Sequence, residues 1–262
     1  MARHISNNPE AYDLYLKGLQ QESYFTKEGN KASLRLFKNA TELDPSFAAA
    51  YSHLAQAYSL GAENRWTKTP DEFKRLAVVT AKKAIQLDDE LPYAYWSMGR
   101  IYSRSYLAEL EKAKSALEKS VALNSNYADG YLFLALTLIY LGQAEKALGY
   151  IEKAMRLNPH FPFWYLHALG AAQYFLSNFE AAAKSFRKSI ERNPAVPWMH
   201  RYLIASYGQL GMTDDAEWQI TELETLGQRA TIKEFMKKVN VQDSLYRKFF
   251  LEGLRKAGLP EG

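Results

Sequence analysis

Five histidines, His4, His53, His160, His167 and His200, are the side chains best suited to metal binding or proton transfer. His160 and His167 lie seven residues apart across an expected helix start, with no carboxylate at ligand spacing beside them. His167 and His200 come near each other if their helices stack. Two imidazoles still make a poor metal site, because zinc takes three or four protein ligands held by further hydrogen bonds. The histidines are therefore expected on the surface or in a groove. Asp88-Asp89 and Asp214-Asp215 are paired carboxylates of the kind that could share acid–base work. Asp214 and Asp215 follow Thr213, the expected N-cap of a helix, where exposed amides favour negative charge. No glycine-rich phosphate loop is present, and no serine stands in a nucleophile-elbow context. The 262 residues include no cysteine, which excludes disulfides, thiolate metal sites and cysteine nucleophiles. The expectation is a chain that is not an enzyme and needs neither cofactor nor metal.

The elements that carry these residues are best read from Ala128 to Phe161, ADGYLFLALTLIYLGQAEKALGYIEKAMRLNPHF. Tyr131, Leu134 and Leu138 recur at helical spacing, and so do Ala147, Ile151, Ala154 and Met155. Leu141-Gly142-Gln143 separates the two runs, and Asn158-Pro159 closes the unit because proline cannot continue a helix. Ala135, Ala147 and Ala154 let helix backbones approach closely. Similar closings recur: ELDPSFA (42–48), QLDDELP (86–92), ALNSNYA (122–128), RLNPHFP (156–162) and ERNPAVP (191–197). Their last residues are 44, 36, 34 and 35 apart. Periods in this range mark helical solenoids, in which each hairpin leaves apolar faces for its neighbours to cover.

The small residues at fixed places in a 34-residue helix–turn–helix unit resemble the tetratricopeptide repeat. That resemblance implies an all-α, right-handed superhelical solenoid of about six repeats, at 9–47, 48–91, 92–127, 128–161, 162–196 and 197–226. Together they make an array over 9–225, preceded by a flexible segment at 1–8. Gly18, Gly99 and Gly170 take the close-contact place on first helices. The second unit carries about ten extra residues, Gly61 to Pro70, with Trp66 either free for a partner or folded back on its own repeat. From 227 to 262 the period stops. Ile232, Phe235, Met236 and Val239 suggest one helical face and Leu245, Phe249 and Leu254 another, so capping helices are expected there. The ending YRKFFLEGLRKAGLPE and the opening NPEAYDLYLKGL are similar to repeat regions attached to bacterial class III adenylate and guanylate cyclases. This implies a regulatory portion of a larger signalling protein.

The chain is 47% hydrophobic and 24% charged, enough for a core and a solvated surface. No apolar run reaches the length of a membrane span, and the opening lacks a secretory apolar core, so a cytoplasmic location is expected. The net charge is +4, and 226–262 supplies that surplus with eight Lys/Arg against four Asp/Glu. The array has no basic stripe of the kind nucleic-acid binding requires, which argues against such a partner.

Assigning the apolar seam leaves a second face on each first helix. Tyr93, Trp96, Arg100 and Arg104 run along it at helical spacing. The same phase picks out Tyr12, Tyr15 and Leu19, then Ser52 and Gln56, then Leu132, Leu136 and Tyr140. Trp164, His167 and Tyr174 follow, and Trp198 and Arg201 complete it. Trp, Tyr and Arg are enriched at binding hot spots. A concave wall of this kind suits an extended peptide or amphipathic helix of acidic character. The expected function is a protein-interaction scaffold gripping such a segment. The alternative is control of, or self-association beside, a linked nucleotide cyclase.

Overall fold

The computed structural model describes residues 6–104, 106–194, 196–237 and 239–262. His4, and most of the expected 1–8 segment, lie outside the described residues. The described chain is helical, with no strand, and divides into two compact units at Ser125/Asn126.

The first unit holds α1 (Pro9–Ser23), α2 (Lys27–Leu43), α3 (Ala48–Glu63), α4 (Pro70–Leu87), α5 (Pro92–Tyr102) and α6 (Leu110–Leu123). The second holds α7 (Ala128–Tyr140), α8 (Ala144–Leu157), α9 (Phe163–Phe175), α10 (Phe179–Arg192), α11 (Pro197–Leu210), α12 (Thr213–Thr225), α13 (Ile232–Met236) and α14 (Ser244–Lys256). Helices pair as consecutive hairpins, α1 with α2 through α11 with α12. Within each unit the first helices of neighbouring hairpins touch: α1, α3 and α5 in one, α7, α9 and α11 in the other.

Small residues set the spacing inside the hairpins. A Cβ added at Gly18 would stand 2.5 Å from the Phe37 ring; at Gly99 it would stand 2.5 Å from Leu117, and at Gly170 2.7 Å from Phe186. Ala135, Ala147 and Ala154 have no exposed surface. Helix starts follow local chemistry. The Asn8 side chain accepts from the amides of Glu10 and Ala11, and Pro9, Pro70, Pro92 and Pro197 take first-turn positions whose missing N–H costs nothing.

Among the described residues each hairpin turn contains one with positive φ: Phe25, Arg65, Ala108, Gly142, Ser177 and Gly211. Only two of the six are glycine. The other four hold a conformation that costs an L-residue roughly 1–2 kcal/mol, so the packed helices on either side determine the turn.

Several expectations change in detail. Thr213 is the first residue of α12, and Met212 precedes it with no side-chain cap; Asp214 and Asp215 do lie in the first turn. The extra residues of the second hairpin extend α3 to Glu63, leaving a loop at 64–69. Trp66 is half-buried, edge-on to Phe25 of the preceding hairpin at 6.2 Å. At the C-terminus α13 ends at Met236, so Val239 lies beyond it. Leu245 is 73% exposed; the inner face of α14 is instead Tyr246, Phe249, Phe250, Gly253 and Leu254. That helix packs along α11.

Candidate interaction surface

In the first unit the aromatic residues of α1, α3 and α5 meet as a ladder. Tyr12 stacks near Tyr15 at 6.2 Å, and Tyr15 meets the edge of His53 at 5.4 Å. His53 stacks on Tyr93 at 4.0 Å, and Tyr93 leans on Trp96 at 4.7 Å. The Arg100 guanidinium then lies 4.7 Å from the Trp96 ring centre, a cation–π contact. A Glu22 carboxylate oxygen is 2.7 Å from His53 Nδ1, and the Tyr93 hydroxyl is 3.0 Å from the same nitrogen. Arg104 pairs with Glu63.

Tyr12, Tyr15, Tyr93, Arg100 and Arg104 are half-buried, whereas Trp96 is 5% exposed and forms the floor between Tyr93 and Arg100. Burial, and then Glu22 and Tyr12, push the Tyr15 phenol well above its usual range, so it stays a neutral donor. Ser52 and Gln56 do not line this wall. Gln56 Nε2 donates to the Ser97 carbonyl at 2.8 Å and hydroxyl at 2.9 Å, and Ser97 Oγ donates to the Ser52 carbonyl at 3.0 Å. These bonds fasten α3 to α5. His53, absent from the expected wall, sits at the ladder's centre. It lies one residue past Ser52, off the helical phase that located the others, and reaches the wall by leaning toward α5.

In the second unit His167 is enclosed by Trp198 at 4.4 Å, Tyr202 at 5.3 Å and Phe186 at 5.4 Å. Burial, and then the nearby Arg201 charge, lower its pKa to about 3. It is a neutral imidazole at any ordinary pH. Its Nδ1 and the Trp164 indole nitrogen are buried with no hydrogen-bond partner among the described residues. Trp164 and Trp198 both pack on Phe163, at 5.1 and 6.2 Å.

Four expected wall residues of the second unit are enclosed instead: His167, Arg201, Leu132 and Tyr174. Leu132 has no exposed surface, because α7 is apolar on nearly every face and a single stripe mistakes core for wall. Tyr174 is likewise fully buried, with Phe249 at 5.5 Å and Phe250 at 6.0 Å, because α14 covers it. Leu136 and Tyr140 are half-buried, and Arg201 lies under the Phe235 ring at 5.5 Å. Among the described residues no three His, Asp or Glu gather in a metal-holding group. No helix there is long and apolar enough to cross a membrane.

Comparison with known proteins addresses the architecture. The tetratricopeptide repeat model matches 128–161 and 165–196, the fourth and fifth hairpins. Similar solved structures include pilF of Pseudomonas aeruginosa, at 18% identity and a TM-score of 0.57, covering 92% of this chain and 97% of that one. A thermophilic tetratricopeptide repeat protein of Thermus thermophilus has 20% identity and a TM-score of 0.56, covering 70% and 92%. At such identities the likeness is one of fold. A curated relative, "Putative adenylate cyclase 3" of Rhizobium meliloti (strain 1021), is 28% identical over 110 residues. The match takes in 42% of this chain and 18% of that protein's length. With hairpins, close-contact glycines and family match in agreement, the chain has the all-helical fold of tetratricopeptide repeat proteins, and its fourth and fifth hairpins match the repeat itself.

Proposed function

We propose that the chain is a protein-interaction scaffold whose first unit grips an apolar or aromatic peptide segment carrying acidic residues. The ladder from Tyr12 to Arg100 supports this reading above all. It presents π faces at graded exposure and ends in guanidinium groups, one of which, Arg104, keeps Nε and Nη2 buried and without hydrogen-bond partners among the described residues. Aromatic anchors beside arginine favour such a segment through apolar burial and charge-assisted hydrogen bonds. In this reading the chain works by binding rather than catalysis. Pull-down with the parent chain and with Tyr93→Ala and Arg100→Ala tests it: the proteins retained by the parent should be lost in both variants while circular dichroism is unchanged. Equal recovery would remove the ladder from the account.

A second reading rests on the curated relative. The chain would then be a regulatory or self-associating portion of a nucleotide cyclase or related signalling protein. Light scattering that finds a strict monomer across the micromolar range would remove its self-association half.

A further inference from the structure

We propose that α7, α9 and α11 form a seat for an aromatic amphipathic helix, and that α14 is a resident occupant which a partner helix of the same pattern displaces. This rests on the scaffold reading and extends it to the second unit, with a partner chemistry of its own.

The occupant is visible in detail. The amides of Gln242 and Asp243 donate to the Tyr140 carbonyl at 2.9 and 3.4 Å, bringing the chain back to the end of α7. Asp243 then caps α14, accepting from the Tyr246 amide at 2.8 Å. Tyr246 stacks flat on Phe175 at 4.4 Å, Phe249 lies 5.7 Å from Phe179, and Phe250 packs on Tyr202 at 4.7 Å. The Gln209 amide donates to the Phe249 carbonyl at 3.3 Å. The segment from Gln242 to Phe250 thus meets three successive hairpins, at Tyr140, at Phe175 and Phe179, and at Tyr202.

Two glycines show that the fit is specific. A Cβ at Gly208 of α11 would stand 2.0 Å from the Gly253 carbonyl oxygen, and one at Gly253 would stand 2.8 Å from the Ala205 carbonyl oxygen. Gly18, Gly99 and Gly170 make room for the partner helix of their own hairpin. Gly208 makes room for α14. The anchoring pattern is aromatic, aromatic, aromatic and glycine at i, i+3, i+4 and i+7 (Tyr246, Phe249, Phe250, Gly253), which is how a helix reads a groove.

An open depression of about 310 Å³ lies beside the N-terminal half of α14, lined by its own Leu245, Tyr246, Lys248, Phe249 and Glu252 together with Phe175 and Ser177. Leu245 stands in solvent at the same end. The C-terminal half of α14 is docked backbone to backbone, while at its N-terminal half its own Leu245 leaves apolar surface uncovered. A helix with a larger apolar residue at the Leu245 turn would cover more of the depression, which gives a competitor its advantage.

The test uses the full chain and a fluorescent synthetic peptide of residues 240–259, followed by anisotropy. Gly253→Leu disturbs the occupant and leaves the residues of the seat unchanged. The variant should bind the peptide at least tenfold more tightly than the parent, and a peptide with the same Gly253→Leu change should bind neither. Equal binding by parent and variant, or none by either, overturns the proposal. Should the variant fail to fold, hydrogen exchange in the parent decides. Amides of 246–256 should exchange at least tenfold faster than those of 203–208 in α11, and equal rates overturn the proposal. Neither readout involves Tyr93 or Arg100, so the first unit's ladder can fail while the seat stands, and the reverse.

Discussion

The two units carry the same kind of aromatic stripe and complete it in opposite ways. In the first, Tyr12, Tyr15, His53, Tyr93 and Trp96 stack across three helices, and polar groups finish the row: Glu22 at His53, Arg100 over Trp96, Glu63 at Arg104. In the second, Tyr174, Phe175, Tyr202 and Arg201 are covered by the chain's own Phe235, Tyr246 and Phe250. A stripe of Trp, Tyr and Arg therefore says that a helix face has affinity for something. Whether that face is taken depends on residues more than thirty positions away. The same physics leaves a half-buried aromatic face in one unit and builds tertiary structure in the other.

The comparison holds only if the hairpins beneath both walls are built alike. Ala84 in α4 and Ala154 in α8 occupy equivalent places, two residues before the QLDD and RLNP closings, and both have no exposed surface. Ala84→Glu and Ala154→Glu should each lose about 4 kcal/mol or more, because a carboxylate would be buried without a partner in a contact sized for a methyl group. Thermal melting of the two variants measures this. A melting temperature matching the parent's in one of them would show that its hairpin uses a different register, and the parallel between the walls would fall.

The histidines sharpen the comparison at an intermediate scale. His53 faces a carboxylate; His167 is enclosed beside Arg201. With a folded pKa of about 3 against 6.5 for a free imidazole, His167 binds fewer protons in the native chain than in the unfolded one. Its contribution to stability is fully present above pH 6.5 and falls away as pH drops toward the folded pKa. At pH 5.5 the loss is about 1 kcal/mol relative to neutral pH. Urea unfolding of the parent and of His167→Phe between pH 7 and 5 checks it. The parent's slope over that range should exceed the variant's. Identical slopes would mean that His167 is open to water, and that the second wall is as accessible as the first.

How much of this was legible in the sequence follows from which signals are local. Helical spacing and the small residues at Gly18, Gly99, Ala135 and Gly170 lie within one hairpin, and they yield the fold class and the helix pairing. The aromatic ladder was mostly legible too, since Tyr93, Trp96 and Arg100 share one helix and one phase. His53 escaped because it sits one residue off that phase and joins the ladder across helices. Glycine does not mark four of the hairpin turns, because Phe25, Arg65, Ala108 and Ser177 adopt positive φ there. The occupation of the second wall was least legible. Phe249 and Phe250 reveal a buried face on α14, but nothing in their own spacing says which surface buries it. Gly208 and Gly253 hold that information jointly, and neither does alone.

The smallest expected effect bears on the open end of the first ladder. Arg104 and Glu63 form an ion pair whose side chains are 14% and 32% exposed, so solvent screens much of the attraction. Pairs of this kind contribute roughly 0–1 kcal/mol, and Glu63→Gln should shift stability by no more than that. The informative readout is binding. In the parent, Glu63 cancels much of the charge that an acidic partner would meet at Arg104. Glu63→Gln should therefore raise the affinity for an acidic peptide and lower its dependence on Arg100, while a neutral aromatic peptide binds as before. Titration of both peptides into parent and variant separates the two ligand classes. An unchanged acidic affinity would mean that the guanidinium groups hold the helices together and do not face the ligand, leaving the aromatic rings alone to recognise it.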